Sequence, residues 1–414
     1  MNRAEYLRLN PFRITQVDEE GFWTEATESE IREIHGAELL EITGEIHRCA
    51  VSSPDQRRVI VLRGSVGSGK THLLGRVRRT IEREAVFFRL SDPPRDLRFF
   101  NETISRDMVA CLSRPMIFRS VQQPFTQLRG LLYATLRKCF PIDKTVAEIH
   151  EMWGALPLED RQRYVREVWE KLQQEEPGVS PDILTGLLWG LFDELQWPAM
   201  QWLLADTTMS GDVLQSLNQK AHLDEQSLGD VVRAVGLLAE KGGIPLVLNL
   251  DQLDGVLESG RIEHTVEYAQ ELLERDKSWM VFFSMNHETF GSWNRSRKAT
   301  LRERMNPKIL DLAPLSNAEH RWTMIINRLQ DGPLRARREL DGVTDPAFPF
   351  QKGHLQQLAF RELETPKEVL TEASNAYTYV LTGQVPRISL DEFLVQQMEE
   401  RMLEASTQRK SPAS

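Results

Sequence analysis

Residues 64 to 71 read Gly-Ser-Val-Gly-Ser-Gly-Lys-Thr, an order of residue types suited to holding phosphate. Gly64, Ser65, Val66, Gly67, Ser68 and Gly69 form a loop whose glycines accept positive φ and let backbone amides curl around anionic oxygens with no Cβ in the way. Lys70 can reach the outer phosphates of a nucleotide, and Thr71 can place its hydroxyl on magnesium. His72 follows, bordering the same ligand, and the helix that begins here turns its positive end toward the anion. A glycine-rich strand-to-helix turn that binds nothing is the alternative. The complete match, the extra Gly67 and the placement between an apolar run (Val59 to Leu62) and an amphipathic stretch weigh against it.

A magnesium-assisted site needs an acid, and "PLVLNLDQLD" (residues 245–254) offers one. Its β-forming run ends in Asp251, which puts a carboxylate at the C-terminal end of a strand, where open α/β sheets keep their ligand chemistry. The next residue is Gln252, whose amide cannot take a proton at neutral pH. General-base help is worth about 10² to 10⁴ in rate, so slow turnover follows unless another group assists. Gln252 could orient water, and Asp254 is the preferred candidate base; the competing reading of Asp254 is a turn-capping acid. Farther on, "SWMVFFSMNHE" reads as a strand ending in Asn286, which either orients an attacking water or simply makes a turn.

The order of these elements resembles that of the AAA+ ATPases, in which a polar sensor ends the fourth core strand and an arginine beyond it reaches a neighbouring subunit's nucleotide. The resemblance puts Arg304, and after it Arg302, at the arginine-finger position, with a solvated helix face as the alternative. "LAPLSNAEH...IINRL" looks like the entry to a helical lid, and Lys367 in "LETPKEVL" stands where the family often carries a second-sensor arginine. Lysine there is a point charge without a bidentate fork. "LRLNPFRI" is similar to the N-terminal segment of the initiator-like branch, which implies that Phe12 stacks on or packs beside the adenine. "LDQLD" also resembles the Asp-Gln-Phe-Glu form of STAND-type signalling ATPases. The longer stretch around it is similar to ATPases of bacterial defence, BREX-type systems among them. The family's cofactors are ATP and Mg2+.

Composition narrows the rest. The chain has 414 residues, 41% hydrophobic and 27% charged, as ordinary globular proteins do. A net charge of -10 argues against a protein whose main business is a basic grip on nucleic acid, although "NRSRKATLRER" and "RARRE" are local basic patches. Cys49, Cys111 and Cys139 lack metal-ligand or disulfide spacing and read as core residues. No apolar signal core or membrane-length run is visible, so a cytoplasmic protein that does not use a membrane is expected.

The fold class expected is α/β: a P-loop NTPase (AAA+-like) parallel sheet core with a large α-helical insertion and a C-terminal helical lid. Residues 1–94 hold the N-terminal segment and the phosphate-loop half of the core, and 225–314 the second half. About 180 residues separate Lys70 from Asp251, too many for one unstructured connection, and 95–224 carry helical periodicity. Trp153, Trp169, Trp189, Trp197 and Trp202 fall in that insertion, which is where a protein partner would be met if its aromatics are not all core. The lid spans 315–405, with 332–350 read as a loop and helices at 366–382 and 389–405, followed by a disordered tail, 406–414. The leading expectation is a homo-oligomeric ATPase with nucleotide at subunit boundaries, coupled to remodelling or signalling, with phage defence as the setting the resemblance suggests. A nucleotide-held STAND-like switch and a DNA-loading factor are the alternatives.

Overall fold

The computed structural model describes residues 3–12, 22–23, 34–51, 57–81, 84–91, 94, 96–116, 125–140, 142–253, 261–295, 305–330, 332–350, 358 and 363–382. In chain order the elements are α1 (Arg3–Arg8), α2 (Gly36–Ala50), β1 (Val59–Arg63), α3 (Lys70–Thr80), β2 (Val86–Leu90), α4 (Phe100–Cys111), β3 (Pro115–Met116) and β4 (Phe125–Thr126). There follow α5 (Gln127–Cys139), α6 (Val146–Ala155), α7 (Leu158–Glu175), α8 (Pro181–Leu188), α9 (Asp193–Leu203), α10 (Gly211–Ser216), α11 (Leu228–Gly242) and β5 (Leu246–Leu250). The chain continues through α12 (Arg261–Arg275), β6 (Trp279–Met285), α13 (His287–Arg295), β7 (Lys308–Asp311), α14 (Ala318–Leu329), α15 (Gly332–Leu340) and α16 (Pro366–Thr382).

Five strands form one sheet in the order β2-β5-β6-β1-β7, and every pairing is parallel. Strands β2, β5 and β6 are buried at every position, which is why their sequences are nearly unbroken apolar runs rather than alternating ones. Because all five run the same way, the loop after β1, the acid after β5 and the asparagine after β6 emerge at one edge of the sheet. The protein is thus an α/β fold with a parallel sheet core and helices around it.

The outer edge of β2 is covered by a side chain. Gln127 accepts from the Phe87 N–H at 2.7 Å and donates to the Phe87 carbonyl at 2.8 Å, so one amide imitates a neighbouring strand. It also donates to the Cys111 carbonyl at 2.9 Å, tying α4 and α5 to the sheet. Helix α5 is buried on nearly all sides from Gln127 to Leu136, and Thr135 donates to the Leu238 carbonyl of α11 at 3.0 Å. Between β2 and β5 lies a mostly helical segment, with the short β3–β4 pair inside it. Its apolar residues and those of the sheet make one continuous core. Helix α8 and the turn after it are buried, as expected for "TGLLWGLF".

A second core joins residues of α1 and the segment after it to the C-terminal helices α14, α15 and α16, called the lid for short. Tyr6 of α1 donates to Asp341 at 3.0 Å, Tyr377 of α16 donates to the Tyr6 carbonyl at 3.1 Å, and Arg337 pairs with Glu5 at 3.0 Å. Residues 3–12 thus pack with the C-terminal helices. The loop expected over 332–350 is corrected, because its first half is helix α15. Gly332-Pro333 and Asp341-Gly342, which read as loop punctuation, sit at its two ends, with Pro333 in the first turn and Gly342 at φ 68° past the last. Leu334 and Arg338 face inward four residues apart, and Arg335–Glu339 and Arg337–Asp341 form i,i+4 ion pairs. Helix α16 agrees with 366–382, while 389–405 and 406–414 lie outside the described residues.

Glu45 fastens α2 to the sheet. Its carboxylate accepts from Lys308 of β7 at 2.9 Å, from Arg48 at 3.1 Å and from the Arg57 N–H at 3.1 Å. Burial alone would raise its pKa, but these hydrogen bonds outweigh burial and bring it from 4.5 down to about 2. A depressed carboxylate stabilises the fold fully above its unfolded pKa, and that stability is lost as pH falls through the folded value. Glu45→Gln is expected to cost roughly 2–3 kcal/mol at neutral pH. In thermal melts across pH, the gap between wild type and variant should close between pH 4.5 and about 2.

Candidate functional site

The loop after β1 is held from below. The Gly64 N–H donates to the Met285 carbonyl at the end of β6 at 3.3 Å, and the Lys70 ammonium donates to the Gly64 and Ser65 carbonyls at 2.8 and 3.1 Å. Gly67 and Gly69 have φ of 84° and 96°, and Gly69 is the cap from which α3 starts. Val66 stands at the tip, 65% exposed. Glycines at positive φ leading directly into a helix start are an arrangement able to take up an anion of phosphate size.

The lid touches this loop from above. The Lys367 N–H, at the second position of α16, points to the Gly67 carbonyl at 3.4 Å. The helix start is fixed by a reciprocal pair: Thr365 N–H to the Glu368 carboxylate at 3.1 Å and Glu368 N–H to the Thr365 hydroxyl at 3.2 Å, with Pro366 between. A Cβ on Gly67 would lie 2.6 Å from the Lys367 Cβ, besides being strained at that φ. Gly67→Ala is expected to cost about 1–2 kcal/mol and to push the lid off the loop. Limited proteolysis should cut the segment before α16 faster in the variant, and unchanged cleavage would contradict the contact.

Asp251 lies 1% exposed just past β5. Its Oδ2 accepts from the Thr71 hydroxyl at 2.7 Å, joining two residues 180 apart in sequence. Its Oδ1 accepts from the Gln252 N–H at 3.0 Å. Gln252 has φ 57° and an exposed side chain, so it makes the sharp turn by which the chain leaves the strand. Thr71 and Asp251 present hard oxygen donors, the type magnesium takes together with nucleotide phosphates.

Asn286 follows β6, beside the β1 strand that feeds the loop. Its side-chain oxygen accepts from the Thr289 N–H at 2.7 Å and caps α13, so the turn role and a place at the strand end coexist. His72 is partly buried on the first turn of α3. Burial, then the charges of Arg79, Arg76, Arg328 and His35, push its pKa down to about 3, so the imidazole is neutral at physiological pH. Phe12, expected to stack on or pack beside the base, lies in the second core. The ring is 0% exposed inside the lid core, 6.0 Å from Tyr377 and 6.4 Å from Phe350, and has no free face. Asp254, Arg302 and Arg304 lie outside the described residues.

Two residues at the site escaped the sequence reading. Arg89 of β2 pairs with Asp251 at 3.2 Å. Its signal was present, since an arginine inside the buried run "VFFRL" must find a partner. His35, whose Nε2 lies 2.9 Å from the Ser68 carbonyl, gave none, because only the fold brings it over the loop.

Geometry and topology define the class: a parallel α/β protein of P-loop-like arrangement, with loop, hydroxyl and acid gathered at the C-terminal edge of the sheet. No family profile, curated protein or solved structure matches the chain. No helix among the described residues is long and apolar enough to cross a membrane.

Proposed function

We propose that this protein is an AAA+-type ATPase that binds Mg-ATP at subunit boundaries and couples binding and hydrolysis to remodelling or signalling in a larger assembly. The observation that carries the reading is the 2.7 Å bond from Thr71 to Asp251, which brings the end of the phosphate loop and the strand-end acid to one point. The strand order supports it as well: the strand ending in Asn286 lies between the loop strand and the acid strand.

Magnesium, when bound, neutralises phosphate charge and acts as a Lewis acid. Thr71 and Asp251 would hold it. The amides of the 64–71 loop and the Lys70 ammonium bind the phosphate chain, with Lys70 exchanging its present carbonyl partners for phosphate oxygens. Lys367, carried on the lid against Gly67, reads whether the outer phosphate is present. Asn286 orients water, and Asp254 takes its proton in place of the amide at Gln252. Arg304, with Arg302 beside it in sequence, acts across a homo-oligomer boundary as a planar fixed charge. The helical segment between β2 and β5 is the surface for a protein partner.

A nucleotide-held switch with little turnover is the second reading. It is favoured by Gln252, which is spent on a left-handed turn and is no proton acceptor. Magnesium-dependent ATP turnover across a protein concentration series separates the two. The ATPase reading expects specific activity to rise with concentration and to fall roughly 10³-fold or more in Arg304→Ala. Tight ATP retention with turnover indifferent to both would select the switch.

A further inference from the structure

The Arg89–Asp251 pair is the most deeply buried charge pair in the described molecule to involve a site residue, with both side chains 2% exposed. Its geometry is specific. In the sheet Arg89 stands in register with Asn249, two residues before Asp251, so it lies on the adjacent strand and on the same face as the acid. Asn249 is 0% exposed, and its side-chain oxygen has no hydrogen-bond partner among the described residues. The guanidinium nevertheless reaches past it to the carboxylate. On its other side the guanidinium carbon lies 5.0 Å from the ring centre of Phe22, itself 0% exposed, which fixes the group in place by cation–π contact.

The oxygen that Arg89 meets is Oδ2, the same atom that accepts from Thr71. A divalent cation held by Thr71 and Asp251 would share that carboxylate with the guanidinium. A carboxylate this buried cannot stand without positive charge beside it, and arginine is never neutral. We infer that Arg89 is a built-in counter-cation that holds and aims Asp251 when the metal is absent, and that it sets the magnesium concentration the site requires. The inference rests on the Mg-ATP reading. It makes Arg89 a positioning residue: it touches the acid, and through the acid it opposes a second positive charge.

The test is binding, not turnover. Retention of a fluorescent ATP analogue is measured against free Mg2+ or Mn2+ for wild type, Arg89→Gln and Arg89→Lys, with Lys70→Ala as the control for nucleotide. Removing the competing charge should lower the metal concentration at half-saturation by about tenfold or more in Arg89→Gln. Arg89→Lys keeps the charge and should stay near wild type. Without metal, Arg89→Gln should melt at a lower temperature, and Mg2+ with ATP should restore more of the difference than it adds to wild type. An Arg89→Gln protein that is unfolded without metal should regain its far-ultraviolet dichroism when Mn2+ and ATP are added, and failure to regain it overturns the inference. An unchanged metal midpoint in Arg89→Gln, with ATP still retained through Lys70, overturns the role of Arg89 and leaves the nucleotide reading standing. If wild type retains no analogue at any metal concentration, the nucleotide reading fails and this inference falls with it.

Discussion

Lys70→Ala is expected to lower ATP affinity by roughly 10² to 10⁴-fold, the loss of two charge-assisted contacts worth about 1.5–3 kcal/mol each. The argument starts from the resting geometry. The ammonium already lies inside the loop, donating to Gly64 and Ser65, and the residue is 9% exposed. Its position is therefore set before a ligand arrives, and a phosphate chain entering the cradle meets a charge that needs little rearrangement. The structural cost is expected to be small, with water entering the space the shortened side chain vacates beside the Gly64 and Ser65 carbonyls. Titration of a fluorescent ATP analogue beside a thermal melt makes the distinction. A large loss of affinity with a nearly unchanged melting temperature is the expected pair of results. Undiminished affinity would remove the loop from the nucleotide site and with it the functional proposal.

How much of this could be read beforehand depended on whether the signal was local. The strands Val59–Arg63, Val86–Leu90, Leu246–Leu250 and Trp279–Met285 announce themselves as apolar runs, because each is buried on both faces and needs no long-range information. The glycine loop over 64–71 is equally local: eight consecutive residues carry the spacing. Helix α15 was hidden because its caps are turn-formers, which look the same at a helix end as in a loop. The pairing of Arg89 with Asp251 joins residues 162 apart, and nothing in either neighbourhood names the other. The union of Arg3–Arg8 with the lid is of the same kind, since Tyr6 and Tyr377 meet 371 residues apart. A buried charge in a strand says that a partner exists, but only the strand order says which.

That non-local packing yields the second large effect. Phe12→Ala is expected to destabilise the lid by about 3–5 kcal/mol, as removal of a buried phenyl ring does when the surroundings cannot collapse into the space. Phe12 is enclosed by Phe350 and Tyr377, and its own N–H is held by Asn10 at 3.0 Å, whose amide in turn reaches Ser374 of α16 at 3.1 Å. The ring thus anchors the N-terminal segment to α16, the helix whose first turn lies on Gly67, so loosening one end should loosen the other. Phe12→Leu separates this role from stacking on a base. A leucine refills most of the volume and should recover about half or more of the lost stability, while ATP affinity stays within about twofold of wild type, since no ring–base contact is lost. Differential scanning calorimetry resolves the lid transition if it melts apart from the sheet, and hydrogen exchange in α16 follows it if it does not. A leucine variant that melts like wild type yet binds ATP about tenfold more weakly would restore Phe12 to the nucleotide. Recovery of stability together with preserved affinity would instead make the N-terminal segment a strap of the lid, and the lid's grip on the loop a property of both chain ends at once.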